Sequence, residues 1–167
     1  MKINVVLIYF IVLLIGSSCN QSKINVNDTI EVLNNFSELQ SIIDSNSDKV
    51  MVVNFWATSC PPCLKEMPHF VDLQKSYDKN EVKFLLVSLD KVRDLDKRVL
   101  PFVKKHNITP EVAILGDDNY SAWTDKIDPS WYGALPATII IRGDEKKFKF
   151  GMYESMQELK TDIELLK

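Results

Sequence analysis

The sequence predicts an α/β domain: a mixed central sheet with helices on both faces, parallel strand pairs inside and an antiparallel hairpin at one end. Three observations predict it. Residues 50–56 (Val-Met-Val-Val-Asn-Phe-Trp) and 82–89 are nearly continuous apolar runs of strand length, the pattern of strands buried on both faces of a parallel sheet. Segments with apolar residues at helical spacing alternate with those runs. A strand pair separated by Gly143-Asp144 closes the pattern before a last helix.

The elements follow in order. Residues 29–33 form a short extended run, and a helix starts at Ser37, with Glu38 in its first turn and Leu39, Ile42 and Ile43 apolar. After the strand at 50–56, a helix begins at Pro61-Pro62 and extends to about Lys79. The strand at 82–89 is followed by Leu95, Val99, Phe102, Val103 and His106 at helical spacing, then by a strand at 111–115. A short helix covers 120–127. Residues 137–142 form a strand, and 146–150 a second one with Lys outward and Phe inward. Met156, Leu159, Ile163 and Leu166 make the apolar face of the closing helix.

The chain has 167 residues, enough for one domain. Its 46% hydrophobic and 26% charged residues exclude wholesale disorder. A net charge of -3 gives no electrostatic footprint for nucleic acid. Three cysteines, Cys19, Cys60 and Cys63, split into a singleton and a close pair.

Lys2 and an apolar run over residues 3–15, broken only by Asn4, fit a secretory signal better than a spanning helix, which needs about 20 residues. Gly16-Ser17-Ser18 leads straight into Cys19. This resembles a bacterial lipoprotein signal, cleaved before a lipidated Cys19, although Gly16 stands where a branched aliphatic residue is usual. An ordinary cleaved signal and an uncleaved anchor are the alternatives. The sequence thus divides into a signal over 1–18, a lipidated Cys19 with a polar tether to residue 28, and a domain over 29–167. A nine-residue tether averages about 15–18 Å, which favours partners near the membrane.

The chemistry sits in Ala57-Thr58-Ser59-Cys60-Pro61-Pro62-Cys63-Leu64-Lys65-Glu66-Met67-Pro68. A Cys-x-x-Cys at a strand-to-helix junction puts Cys60 at a helix N-terminus, where free N–H groups and the dipole lower a thiol's pKa. Cys60 is therefore the candidate nucleophile toward a partner disulfide. Cys63, nearly one turn on and deeper, is the resolving thiol. Pro61 and Pro62 remove two N–H donors that would stabilise a thiolate, which makes the pair less oxidising.

Asn54-Phe55-Trp56-Ala57-Thr58-Ser59-Cys60-Pro61-Pro62-Cys63, with Pro68 and Leu135-Pro136-Ala137-Thr138, resembles the thioredoxin superfamily. It is most similar to the exported, membrane-tethered TlpA/ResA-like branch. The resemblance implies a thioredoxin-like fold with an extra helix–strand insertion near residues 94–115. It implies a cis Pro136 facing the cysteines, with backbone at Leu135 pairing with an extended substrate segment. Thioredoxin's buried Asp is replaced by Asn54. The branch instead carries an acid three residues after the second cysteine, here Glu66, a candidate proton acceptor for Cys63. A solvated surface Glu66 is the bland alternative. Ser59 replaces a frequent Trp, which puts a hydrophobic partner contact in doubt. Trp131, five residues before Pro136, is a candidate to shape the substrate groove, together with Pro61 and Pro62.

Other chemistries fit less well. Zinc needs four ligands, and His69 and His106 do not fall at ligand spacing to the pair. A purely structural disulfide conflicts with the strand-to-helix placement. The related peroxiredoxins carry Thr three residues before their reactive cysteine, where this chain has Ala57. Asp117-Asp118-Asn119 reads as a turn. The expectation is a monomeric, membrane-anchored thiol–disulfide oxidoreductase of the bacterial envelope with no metal and no cofactor beyond a Cys60–Cys63 disulfide. The resemblance suggests exported disulfide-containing proteins as substrates, apocytochrome c among them, and a membrane thiol–disulfide electron donor. The alternatives are an oxidase or isomerase, and a thioredoxin-like binding module or metallochaperone.

Overall fold

The computed structural model describes residues 30–167. The signal over 1–18, Cys19 and the tether to residue 28 lie outside the described residues. The strands are β1 (Glu31–Leu33), β2 (Val50–Trp56), β3 (Val82–Ser88), β4 (Glu111–Leu115), β5 (Ala137–Arg142) and β6 (Glu145–Phe150). The α-helices are α1 (Phe36–Asp44), α2 (Pro61–Gln74), α3 (Leu100–Lys105), α4 (Thr124–Ile127) and α5 (Met156–Glu164).

The strands form one sheet in the order β1-β4-β3-β2-β5-β6. β2, β3 and β4 run parallel, as do β4 and β1. β5 and β6 form the antiparallel end. β2 is buried along its whole length, and its pleat divides the core. Val50, Val52 and Trp56 pack toward α2, α3 and α5, while Met51, Val53 and Phe55 pack toward α1 and α4. The period of two puts Asn54 on the α2 side. That polar residue is the exception in the strand.

Four local departures from the sequence reading have physical causes. α2 stops at Gln74 rather than near Lys79. Asp78 takes over the chain there: its carboxylate accepts the Asn80 N–H, and its carbonyl accepts from Glu81 and Val82. The helix expected from Leu95 is a π turn over Leu95–Val99 before α3. Pro101 has no N–H to continue an α ladder, which favours a wider turn ahead of it.

In β6 the lysines are not simply outward. Lys147 and Lys149 reach Asp162 and Glu158 of α5 at 3.1 and 2.7 Å. Phe148 packs on Trp131, but Phe150 is 53% exposed because this edge strand outruns the core beneath it. Met156 is also exposed. It directly follows the N-cap Ser155, whose hydroxyl accepts the Glu158 N–H, and so lies short of the buried face set by Leu159 and Ile163.

Candidate active site

The site forms where β2 ends. Cys60 N–H donates to the Ala57 carbonyl at 3.1 Å, closing a turn over 57–60. Cys60 is the N-cap of α2, with Pro61 and Pro62 at the first two helical positions. Neither proline has an N–H, so the first helical donor is Cys63 N–H, and it points at Cys60 Sγ at 3.3 Å. A helix N-terminus of this kind favours negative charge. Cys60 is partly exposed and Cys63 fully buried. The two form a disulfide with Cα atoms 5.3 Å apart. Cys60 thus meets solvent in part, and Cys63 is shielded beneath it.

Glu66 lies one helical turn beyond Cys63 and is 1% exposed. The solvated alternative is wrong, because α5 and the segment before it cover this face of α2. Tyr153 N–H donates to Glu66 Oε2 at 2.7 Å. Asn54 Nδ2 donates to Glu66 Oε1 at 2.9 Å and to Thr138 Oγ1 at 3.0 Å. Burial pushes the Glu66 carboxyl up to about 7, against the opposing pull of the Tyr153 and Asn54 hydrogen bonds. An acid with that value can hold or release a proton near neutral pH.

Across the sheet, the register Ala137↔Phe55 sets Pro136 opposite the end of β2. The Leu135–Pro136 peptide bond is cis. The Pro136 carbonyl accepts the Gly151 N–H at 3.0 Å. Among the described residues, the backbone N–H and carbonyl of Leu135 make no hydrogen bond. Pro61, Pro62 and Ser59 are exposed.

Trp131 takes a different place from the one expected. It is 1% exposed, packed against Phe55, Trp123 and Phe148, because aromatic area of that size is driven into the core. Its indole N–H donates to the Ala134 carbonyl at 2.8 Å, so it shapes the loop before Leu135 from beneath.

The sequence reading missed Asp90 and Tyr153, and it gave Thr138 no role of its own. Asp90, just past β3, accepts from both the N–H and the hydroxyl of Thr58, at 2.7 and 2.6 Å. A signal for Asp90 existed: β3 is parallel to β2, so its carboxyl end lies beside the cysteine turn, and Ser88-Leu89-Asp90 brings polar groups there. Tyr153 contributes only a backbone N–H, for which no residue type gives a signal. A cavity of about 450 Å³ between α2 and α3 is lined by Leu64, Met67, Val71, Phe102 and Ile108. Neither cysteine lines it.

This arrangement coincides with similarity to known proteins. A model of the AhpC/TSA family matches residues 24–146. The chain belongs to the AhpC/TSA family. This family member is 30% identical over 113 residues to the thiol-disulfide oxidoreductase ResA of Halalkalibacterium halodurans, covering 66% of this chain and 59% of that protein. It is 31% identical over 68 residues to a thioredoxin of Coprinus comatus, covering 41% of this chain and 62% of that protein. The chain therefore spans about three fifths of the length of these two relatives. A thiol:disulfide interchange protein of the thioredoxin family from Chlorobium tepidum TLS superposes with a TM-score of 0.61 at 23% identity, covering 74% of this chain and 83% of that one. At that identity the likeness shows the fold, which is thioredoxin-like.

Proposed function

We propose that this AhpC/TSA-family chain is a thiol–disulfide oxidoreductase that reduces disulfides of exported proteins in the bacterial cell envelope. The observation that carries it is the asymmetry of the pair: Cys60 is partly exposed at a helix N-terminus, and Cys63 is buried behind it. In the reduced protein, the Cys60 thiolate attacks one sulfur of the partner disulfide. The S–S bond breaks, a mixed disulfide forms, and one partner thiolate leaves. Cys63 then gives its proton to Glu66 and attacks Cys60 Sγ. The Cys60–Cys63 disulfide forms and the second partner thiolate leaves. Two electrons have passed to the partner, and a dithiol donor restores them.

Leu135 supplies the backbone edge along which an extended substrate segment pairs, beside Pro136 and the exposed Pro61 and Pro62. The only redox group the reaction uses is the cysteine pair, with no metal or added cofactor. The chain works as a monomer held to the membrane through Cys19, and a membrane thiol–disulfide protein is the electron donor. Apocytochrome c cysteines are one substrate of the right chemistry. The resemblance of residues 1–19 to a lipoprotein signal supports the envelope location.

The reduction potential of the Cys60–Cys63 pair tests the direction. A value near about -270 mV, that of thioredoxin, fits a reductant, and one near about -120 mV makes the chain an oxidase. Cys63→Ser should trap envelope proteins as mixed disulfides on Cys60. A variant that traps none, with no turnover of a disulfide substrate by the parent, leaves only a binding module.

A further inference from the structure

The turn that presents Cys60 is held from behind by the end of the neighbouring strand. Asp90 Oδ2 accepts the Thr58 N–H at 2.7 Å and the Ser88 hydroxyl at 2.9 Å, and Oδ1 accepts the Thr58 hydroxyl at 2.6 Å. The Asp90 N–H goes back to Ser88 Oγ at 3.1 Å, and Leu89 N–H donates to the Trp56 carbonyl at 2.8 Å. Asp90 is 7% exposed. One N–H and two hydroxyls converge on its carboxylate. Among the described residues, no Lys or Arg pairs with it. Its titratable neighbour is Tyr120, whose phenol is pushed up by burial, then by Asp118 and Asp90. The negative charge is hydrogen-bonded but not neutralised.

We propose that Asp90 is a positioning residue that makes the Cys60–Cys63 couple more reducing, by fixing a buried negative charge against the turn that presents Cys60. The proposal rests on the thiol–disulfide reading above. A thiolate exists on Cys60 only in the reduced protein, and a like charge nearby disfavours it. Destabilising the reduced form drives the potential more negative. Asp90 therefore acts against the N-terminus of α2, in the same direction as the missing N–H groups of Pro61 and Pro62. Thr58 links the charge to the turn through two hydrogen bonds from one residue, so the carboxylate cannot swing away to water.

The test equilibrates the protein with a dithiothreitol redox buffer at about pH 8, close to the ordinary thiol value. In Asp90→Asn, the equilibrium constant for reduction should rise on the order of tenfold, which is about 30 mV for a two-electron couple. Asp90→Glu keeps the charge and should stay closer to the parent than to Asp90→Asn. Should Asp90→Asn fail to fold, Asp90→Ser leaves an acceptor for Thr58 and should show the same shift. An Asn or Ser variant with an unchanged or more negative potential overturns the proposal. So does a Glu variant that moves as far as the Asn variant. A parent that does not exchange with dithiothreitol at all sinks the thiol–disulfide reading instead, so the two failures are distinct.

Discussion

Asn54 Nδ2 donates to Glu66 Oε1 across 2.9 Å, and both side chains are buried. β2 and α2 are thereby joined through a buried polar contact on the helix face that Glu66 shares with Cys63. Among the described residues, the Asn54 carbonyl oxygen has no hydrogen-bond partner. In the mechanism proposed above, this contact fixes the proton acceptor Glu66 on the helix face it shares with Cys63.

The first consequence is a pH profile. Glu66 titrates at about 7, so resolution of a Cys60 mixed disulfide should accelerate as pH rises through about 7, where the carboxylate becomes available. Stopped-flow release of a fluorescent thiol reads this step. Glu66→Gln should slow it by about 100-fold, the lower end of general-base contributions, and remove the inflection near neutrality. An unaltered profile in Glu66→Gln would remove Glu66 from the mechanism.

Asn54→Val should move that inflection upward. The Asn54 hydrogen bond lowers the Glu66 carboxyl against the effect of burial, and valine cannot donate. The variant should therefore need a higher pH for the same rate, with the plateau preserved. A downward shift would show that Asn54 does not stabilise the carboxylate.

Stability should fall between about pH 4.5 and pH 7. Glu66 is raised from 4.5 to about 7 in the folded chain, so the folded state binds more protons than the unfolded one in that window. Where the folded state holds the extra proton, stability decreases as pH rises, by on the order of 3 kcal/mol in total for a shift of this size. Urea unfolding at a series of pH values measures it. The Glu66→Gln variant should lack this slope, and an equal slope in both proteins would contradict the assignment.

Trp131→Ala should cost about 3–5 kcal/mol, as large aromatic truncations in cores do. The ring packs on Phe55, Trp123 and Phe148. Trp131→Phe should recover most of that and lose the Ala134 hydrogen bond, worth about 1 kcal/mol. Substrate KM should rise in the Phe variant if the Leu135 loop is set from beneath. Denaturant midpoints and KM together separate packing from positioning.

Much of the fold was legible because its signals are local. β2 and β4 have the expected bounds, since a continuous apolar run of strand length between polar turns permits little else. Helix ends were less legible. Where α2 stops depends on Asp78 capturing three backbone N–H groups, and the π turn before α3 depends on how the chain relieves Pro101. Within the site, Cys60 and Cys63 could be read from spacing alone, but the burial of Glu66 could not. A glutamate three residues after a cysteine shares its helical face whether or not another element covers that face.

The sequence by itself determined the Cys60–Cys63 pair, its placement at a strand-to-helix junction and the α/β class, because each follows from residue type and short-range period. Only the tertiary structure decided the electrostatics around the pair. Tyr153 reaches Glu66 across 87 residues, and Asp90 reaches Thr58 across 32. Those contacts form when α5 closes over α2 and β3 lies beside β2. Charge is tuned by what is buried with it, and burial is a property of the packed chain.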